Sequence, residues 1–306
     1  MNDSLLIIGG SGFVSGTMAR RAVAAGWDVW VVTRGQRALP AGVHAIVADR
    51  KQRGPFAAQI SAAMEAAGIE RFDLVADCIG YDPADALQDV AVFRDRARQL
   101  VFVSTDFVFD PVHRRFPQGE TSAHYLPDGY GGKKRLGEME LLRSDCGDMS
   151  WTVVRPCHIY GPGSLLGCLP THGRDKQLLE RLRAGEALRL VGGGHFLQQP
   201  ILAQDLADLM LGMVRRADLH QGIFQAAGPD IVESVAYYRI IADIVGVELR
   251  VEELPVGEFL AQNPASASFL CHRIYDLGNL QRAALPVPAT PLRTGLAQQV
   301  AALDTQ

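Results

Sequence analysis

Short apolar runs alternate with longer mixed segments through the first hundred residues of the chain. The runs cover residues 5–8, 29–32, 45–48, 74–78 and 100–103, and the segments 17–25, 56–67 and 83–96 between them have helical composition. Runs that are apolar on both faces are typical of strands buried in a parallel sheet. The alternation therefore predicts an α/β fold, a doubly wound parallel sheet with right-handed crossovers.

The pattern changes after the glycine- and proline-rich residues 161–163. Helices are predicted over 175–184, 205–214, 235–245 and 291–303, and strands over 188–190, 199–203, 223–226 and 249–251. We predict a first domain over 1–160, to which 198–215 returns, and a smaller C-terminal lobe over 161–306. A substrate would bind between the two, at the carboxyl ends of the parallel strands.

A glycine-rich turn follows the first predicted strand and precedes the first helix. Gly9 permits a sharp turn, and Gly12 lets the backbone come close to a pyrophosphate. Ser15 stands where a third glycine is usual, and it is small enough for close packing of the helix on the strand. Because a helix N-terminus attracts phosphate, the turn predicts a Rossmann-type dinucleotide site. The cofactor-binding residues assigned here are Gly9, Ser11, Gly12, Phe13 and Val14.

Basic residues follow the second predicted strand, which ends at Thr33 before Arg34 and Arg37. A carboxylate at this point would bind the ribose 2′-hydroxyl of NAD and repel the 2′-phosphate of NADP. A guanidinium instead pairs with that phosphate through charge-assisted hydrogen bonds. We therefore predict NADP(H) rather than NAD(H), with Arg34 as the main contact and Thr33 and Arg37 beside it.

The ends of the next two strands supply the remaining cofactor positions. Asp49 and Arg50 follow the third strand, where an adenine ring would lie. Ile79 and Gly80 follow the fourth strand, beneath the nicotinamide ribose. The side chain of Tyr81, next in the chain, is predicted to reach the substrate.

Tyr130 and Lys134 are four residues apart and therefore share a helix face. Of the seven tyrosines, only Tyr130 has a lysine four positions later. A nearby ammonium lowers the pKa of a phenol from its usual ~10, which makes the phenol an acid–base group. The hydroxyl of Thr105, after the fifth strand, would polarise the substrate oxygen. Two glycines within this helix, 131 and 132, indicate a close backbone approach, since each costs roughly 1 kcal/mol relative to alanine.

Taken in order, these motifs resemble the extended short-chain dehydrogenases/reductases, the NAD-dependent epimerase/dehydratase group. The resemblance rests on the glycine turn, Thr105, the Tyr130-x-x-x-Lys134 pair and residues 155–163, and it covers nearly the whole chain. It implies a catalytic triad of Thr105, Tyr130 and Lys134, with Pro156 beside the cofactor. Tyr130 and Lys134 are also counted as cofactor-binding residues, since Lys134 can hydrogen-bond the nicotinamide ribose.

Two branches of that family share local features with the chain. Residues 104–110 and 130–138 look like dTDP-4-dehydrorhamnose reductases. Residues 33–37 and 77–85 look like the branch that includes chloroplast stem-loop-binding proteins.

Three departures from the family pattern concern the substrate. The Asp-Glu pair of sugar-nucleotide dehydratases is replaced by Asp106 and a phenylalanine, which removes the usual base for elimination and leaves Asp106 as an auxiliary acid or a helix cap. Gln198 replaces an arginine that binds nucleotide-sugar phosphates, and His158 replaces an asparagine, as a substrate contact or as a structural histidine. We expect Asp106, His158 and Gln199 at the substrate, whose class stays open.

Composition limits the remaining choices. The 306 residues include 34 acidic and 30 basic side chains, a net charge of −4, and the dispersed basic residues argue against a nucleic-acid partner. No apolar run approaches the ~20 residues that span a bilayer. The first strand begins near Met1, and the five cysteines have neither CxxC nor metal-site spacing. We expect a cytoplasmic protein without a leader peptide, a membrane span or a metal.

Two classes of function follow from these features. The favoured one is an NADPH-dependent ketoreductase that acts on a small carbonyl or deoxysugar-like substrate, with Tyr130 as general acid. An epimerase with tightly bound NAD(P) is the enzymatic alternative, because the same triad serves both. The other class is a non-catalytic NADP-sensing or RNA-binding protein on the same fold, which has no need of an intact triad. Members of the family often dimerise through the helices flanking the catalytic strand, so a homodimer is a further expectation.

Overall fold

The computed structural model describes residues 2–305. The strands are β1 (Ser4–Ile8), β2 (Asp28–Thr33), β3 (His44–Val47), β4 (Leu74–Asp77), β5 (Gln99–Val103), β6 (Ser150–Pro156), β7 (Ile159–Tyr160), β8 (Leu188–Val191), β9 (Leu197–Gln198), β10 (Ile201–Leu202), β11 (Gly222–Ala226), β12 (Val232–Glu233) and β13 (Val251–Leu254). The α-helices are α1 (Phe13–Ala24), α2 (Arg53–Ala67), α3 (Pro83–Phe93), α4 (Gly129–Arg143), α5 (Leu178–Arg183), α6 (Ala203–Leu211), α7 (Ser234–Val245), α8 (Val256–Gln262), α9 (Gly278–Arg282) and α10 (Leu292–Asp304).

Seven strands form one parallel sheet in the order β11-β6-β5-β4-β1-β2-β3. This confirms the predicted Rossmann-type fold class. The strand order reverses between β1 and β4, and in such sheets ligands bind outside the carboxyl ends of the strands at this reversal. The glycine turn after β1 and residues 78–81 after β4 therefore border the same crevice.

Two apolar layers enclose the sheet. The side chains of β1 alternate between them: Leu5 and Ile7 pack with α1 and α6, whereas Leu6 and Ile8 pack on the side of α2 and α3. All four side chains are fully buried. A strand buried on both faces needs apolar residues at every position, which is why the apolar runs in the sequence predicted such strands.

Two strands of the central sheet differ from the sequence prediction. β6 was not predicted, although it is buried along its whole length. Residues 223–226, which we had assigned to the smaller lobe, form β11 and pair with β6 at the edge of the central sheet. The backbone groups of β6 would otherwise remain unpaired on that side, and a further strand satisfies them.

Helix α6, in the segment predicted to return to the first domain, packs against α1. Arg21 on α1 donates two hydrogen bonds to the Asp208 carboxylate on α6, at 2.8 and 2.6 Å. The smaller lobe has a separate apolar cluster that joins α5, α7 and α10. The strands outside the central sheet form three pairs, β7 with β10, β9 with β12 and β8 with β13.

Within residues 2–305, no helix is both long and apolar enough to cross a membrane. The same residues contain no group of three or more side chains suited to holding a metal ion. The five cysteines are free thiols.

Candidate active site

The glycine turn has the geometry of a phosphate cradle. Gly9 lies at φ +98°, and a Cβ at Gly10 would come within 1.9 Å of Val31, so larger residues fit neither position. A Cβ at Gly12 would meet the Ser15 hydroxyl at 3.1 Å and otherwise lie near open space. The first turn of α1 contains no acidic residue, which leaves the positive end of the helix free for an anion. These residues fit a dinucleotide pyrophosphate.

Ser15 also has a role that its size alone did not predict. Its hydroxyl accepts a hydrogen bond from Gly12 N at 3.1 Å and donates one to the Gly9 carbonyl. The serine therefore closes the turn on itself, in place of the third glycine of the usual motif.

The turn opens into a cavity of about 410 Å³ at the ends of β1, β2 and β3. Arg34 and Arg37 are both exposed at its edge, and within residues 2–305 neither guanidinium forms an ion pair. Thr33 is buried, and its hydroxyl accepts a hydrogen bond from Gly35 N at 3.2 Å. The predicted cofactor residues that line this cavity are Gly9, Ser11, Gly12, Thr33, Arg34, Arg37, Asp49, Arg50 and Ile79.

Arg50 lines the cavity, but its guanidinium is committed to the protein. It is 4% exposed and pairs with Asp77 at 2.7 Å and with Asp89 at 2.9 Å. It also donates to the backbone oxygen of Asp85 at 2.9 Å. Arg50 thus ties the end of β4 to α3, and an adenine contact at Asp49 stays a prediction.

A second cavity of about 490 Å³ lies beside the first, and Tyr81 lines both. It contains the three predicted catalytic residues, Thr105, Tyr130 and Lys134. The other predicted site residues that line it are Val14, Tyr81, Asp106, Pro156 and His158. Phe13, Gly80 and Gln199 are not among its lining residues or those of the first cavity.

Helix α4 carries the Tyr130–Lys134 pair and is fixed against the strand ends. Glu138 accepts hydrogen bonds from Arg155 on β6 at 2.8 and 2.6 Å and from the Ser104 hydroxyl at 2.5 Å. Its carboxylate is buried, and these donors hold its pKa below the usual range despite the burial. These hydrogen bonds of Glu138 fix the position of α4 relative to the end of β5.

The two glycines of α4 allow it to approach a neighbouring loop. A Cβ at Gly131 would lie 1.9 Å from the backbone oxygen of Phe107, and one at Gly132 would lie 2.8 Å from the Pro127 backbone. This is the close backbone approach that the glycines indicated. It brings Tyr130 alongside the loop that follows Thr105.

We expect Gly131→Ala to lower the free energy of unfolding by about 1–3 kcal/mol or more, because the methyl overlaps a backbone atom that cannot turn aside. Tyr130 would be displaced as well. Gly54→Ala is the matched control, since Gly54 is also near a helix start and its Cβ position is open. That variant should be unchanged or stabilised by up to about 1 kcal/mol. Urea unfolding of both measures the difference, and equal stabilities would contradict the close approach.

Lys134 is 2% exposed, and its ammonium donates hydrogen bonds to the backbone oxygens of Gly80 and Val103. Burial lowers the pKa of Lys134 to about 8, although the charges of Asp77 and Glu138 act in the opposite direction. Gly80, predicted to contact the cofactor, thus binds the predicted catalytic lysine through its carbonyl oxygen. A Cβ there would lie 2.2 Å from an Asp77 carboxylate oxygen.

Tyr130 is 52% exposed, and its ring meets that of Phe107 edge-on with centroids 6.3 Å apart. Its pKa is raised, first by partial burial and then by Tyr81, while Thr105 and Arg174 oppose the rise. We had expected Lys134 to lower this pKa, and the direction found here is the opposite one. The phenol therefore keeps its proton at neutral pH.

Asp106, predicted as a substrate contact, is 1% exposed and bound by other side chains. Its carboxylate accepts hydrogen bonds from Arg273 at 3.0 Å, from Arg114 at 3.4 Å and from the Tyr275 hydroxyl. The helix cap at this point is Thr105, whose hydroxyl accepts from Phe107 N at 3.3 Å. The cap role expected of Asp106 therefore belongs to Thr105, whereas a role as auxiliary acid at the substrate stays a prediction.

The last two predicted substrate residues have different placements. His158 lines the cavity, and burial followed by the charges of Arg174 and Arg273 lowers its pKa to about 4, so the ring is neutral. Gln199 does not line the cavity: its amide donates to Gly228 O at 2.9 Å and accepts from Tyr275 N at 2.8 Å. The preceding residue, Gln198, faces the cavity instead.

Comparison with known proteins agrees with this geometry. The sequence profile of the NAD dependent epimerase/dehydratase family matches residues 5–227. The chain belongs to this family. As such it is an enzyme of the short-chain dehydrogenase/reductase type, an oxidoreductase or an epimerase, and the resemblance seen in the sequence is confirmed.

One relative has the name of a branch that the sequence resembles, and another is, like the second branch, a reductase named for a dTDP-linked sugar. The chain is 25% identical to the chloroplast stem-loop binding protein of 41 kDa b of Arabidopsis thaliana over 284 residues, 87% of this chain and 67% of that one. It is 35% identical to a dTDP-4-keto-6-deoxy-D-glucose reductase of Streptomyces niveus over 129 residues. That match covers 41% of this chain and 39% of the reductase.

Solved structures share the fold over the whole chain. A UDP-glucose 4-epimerase of Thermotoga maritima, solved with UDP-glucose, superimposes with a TM-score of 0.74 at 16% identity, over 99% of both chains. The enzyme WbmH of Bordetella bronchiseptica, solved with NAD⁺, has a TM-score of 0.74 at 15% identity, also over 99% of both. At these identities the likeness concerns the fold.

Proposed function

We propose that the protein is an NADPH-dependent ketoreductase that acts on a small carbonyl compound. The observation that carries the proposal is the meeting of Thr105, Tyr130 and Lys134 in one cavity beside the phosphate cradle. A bound NADPH would supply the hydride. The 35% identical stretch shared with a keto-deoxysugar reductase supports a reductase.

The three side chains would divide the proton chemistry between them. The hydroxyls of Thr105 and Tyr130 bind the carbonyl oxygen, where negative charge develops during reduction. Tyr130 then donates its proton to that oxygen, a step for which a protonated phenol is the correct starting state. The ammonium of Lys134 stabilises the phenolate that remains.

The ends of the strands support NADP(H) as the cofactor. Arg34 and Arg37 are exposed beside the cavity and unpaired within residues 2–305, so a 2′-phosphate would not have to displace a carboxylate from either. Arg34 directly follows β2, the position nearest the ribose in this fold.

Arg34→Gln should therefore weaken NADPH binding by about 10- to 100-fold, since a charge-assisted hydrogen bond is worth about 1.5–3 kcal/mol. NADH, without the 2′-phosphate, should change by less than about twofold. Arg250→Gln, at an exposed arginine that forms no ion pair within the described residues, is the control. Fluorescence titration of the reduced nicotinamide measures both constants. Equal losses for the two cofactors would remove the basis for choosing NADP(H).

The pH dependence of kcat should follow the protonation of Lys134. Above pH 8 Lys134 loses the proton that stabilises the phenolate, because its pKa is about 8. Tyr130, with its raised pKa, stays protonated over the same range. We expect kcat to fall with rising pH, with a midpoint near 8, and Lys134→Met to be slow at every pH without that fall. A wild-type kcat that still rises at pH 9 would contradict this role.

Two alternatives are separated by product analysis. An epimerase uses the same triad but returns its hydride, so it consumes no net NADPH, whereas a ketoreductase oxidises one NADPH for each alcohol formed. A carbonyl panel followed by NADPH absorbance and chiral chromatography distinguishes them. A pure binding protein, which the name of the Arabidopsis relative suggests, would do neither.

We also propose a homodimer formed through α3 and α4, which pack together beside the catalytic strand. Leu87 on α3 and Leu136 and Leu142 on α4 are each 46–48% exposed. Leu136→Glu, which places a charge on this surface, should shift the protein to monomer in sedimentation velocity if the surface is the interface.

A further inference from the structure

The cavity that contains Thr105, Tyr130 and Lys134 is lined by more basic than acidic side chains. Its basic residues are Lys134, Arg174 and Arg273, and its single acidic residue is Asp106. The Asp106 carboxylate already accepts hydrogen bonds from Arg273 and from Arg114, which is itself buried. Two guanidinium groups thus share one carboxylate away from water. A buried excess charge is costly unless something pairs with it.

Two buried nitrogens at the cavity lack hydrogen-bond partners among residues 2–305. One is Nε of Arg273, whose residue is 2% exposed and whose guanidinium lies 4.1 Å from the Phe107 ring centre. The other is the amide Nε2 of Gln198, whose residue is 1% exposed. Both groups are donors, and buried donors are rarely left without an acceptor.

Arg174 adds a third donor at the mouth of the cavity. It is exposed, and it forms no ion pair within the described part of the chain. It lines the cavity together with Tyr130 and His158. His158 is neutral and adds no charge to balance these cations.

We propose that the substrate carries an anionic group, a carboxylate or a phosphate, next to the carbonyl that is reduced, and that Arg273, Arg174 and Gln198 bind this group. The proposal rests on the ketoreductase function above. Asp106, the partner of Arg273, follows Thr105 directly in the chain. The anionic group would therefore lie on the Thr105 side of the substrate's carbonyl oxygen. Held there, it orients the carbonyl between Thr105 and Tyr130.

The test is calorimetric and needs no turnover. The protein is saturated with NADP⁺, whose pyrophosphate and 2′-phosphate fill the sites at Gly12 and Arg34. It is then titrated with acetate and with inorganic phosphate, at constant ionic strength set by chloride. The variants are Arg174→Gln and Gln198→Glu. The control is Lys176→Gln, because Lys176 is two residues from Arg174 but lines a separate depression with Leu179 and Arg183.

We expect wild type to bind at least one anion more tightly than chloride. Arg174→Gln should weaken that binding about tenfold, the loss of one charge-assisted hydrogen bond. Gln198→Glu, which places a carboxylate at the unpartnered donor, should abolish it, and Lys176→Gln should stay within about twofold of wild type. Stronger acetate binding identifies a carboxylate substrate, and stronger phosphate binding identifies a phosphorylated one.

No anion binding, or the same binding in all variants, overturns the proposal. Carbonyl screening keeps this result separate from the ketoreductase function. Reduction of neutral carbonyls as fast as their anionic counterparts would keep the function and reject the anion site. Anion binding that is lost in both site variants, without net NADPH oxidation by any carbonyl, would keep the site and reject the ketoreductase.

Discussion

Tyr130→Phe is expected to reduce kcat by about 10²- to 10⁴-fold, the usual contribution of a positioned general acid. The variant loses only the hydroxyl, and since Tyr130 is 52% exposed, no deeply buried group is left unpaired. Folding and NADPH affinity should therefore match wild type within about twofold. Steady-state NADPH oxidation with an active carbonyl measures the first quantity, and a fluorescence titration measures the second.

The matched control for this prediction is Tyr125→Phe. Tyr125 is also partly exposed, and its hydroxyl accepts a hydrogen bond from Ser122 N at 3.1 Å outside the cavity. Its loss should leave kcat within about twofold of wild type. A Tyr130→Phe protein that folds, binds the cofactor and turns over at the wild-type rate would remove the catalytic assignment and return the non-catalytic class to consideration.

Arg50→Met should cost about 3–5 kcal/mol in the free energy of unfolding, because it removes the cation from a buried group of carboxylates. Asp77, Asp85 and Asp89 are all 0% exposed, and Arg50 contacts each of them. Burial and the neighbouring Asp77 charge raise the pKa of Asp89, so Asp89 can stay protonated, but Asp77 and Asp85 would each lose a cationic partner. Guanidinium unfolding at pH 7 measures the loss.

Arg53→Met is the control for the buried pair. Arg53 also reaches Asp85, at 3.5 Å, but its side chain is 41% exposed. Exposed ion pairs contribute about 0–1 kcal/mol, so this variant should be nearly as stable as wild type. Similar costs for the two arginines would show that burial does not decide the strength of this network.

The position of the Arg50 network connects stability with the site. Asp77 holds the end of β4 through Arg50 and accepts a hydrogen bond from Ile79 N at 2.8 Å. The carbonyl oxygen of the next residue, Gly80, accepts a hydrogen bond from the Lys134 ammonium. Removing the Arg50 guanidinium should therefore also displace Lys134. We expect folded Arg50→Met to have a lowered kcat for this reason.

Features that depend only on residues close together in the chain could be predicted from the sequence. Strands buried on both faces must be apolar at every position, which identified β1, β2, β4 and β5. The glycine turn needs residues without a Cβ, and the four-residue spacing of Tyr130 and Lys134 places both on one helix face. These are local requirements of backbone conformation, so the fold class and the placement of Tyr130 and Lys134 on one helix could be predicted from the chain alone.

Contacts between distant residues were decided only by the tertiary structure. Asp106 meets Arg273 and Tyr275 across 167 and 169 positions, and no motif marks either partner. Which of Gln198 and Gln199 faces the cavity depends on register, because adjacent residues in extended chain point to opposite sides. The place of β11 depends on which strand edge is left unpaired. The sequence by itself determined the fold class and the shared helix face of Tyr130 and Lys134. The charge of the cavity and the surroundings of Asp106 were decided by the tertiary structure, since a single segment does not contain its long-range partners.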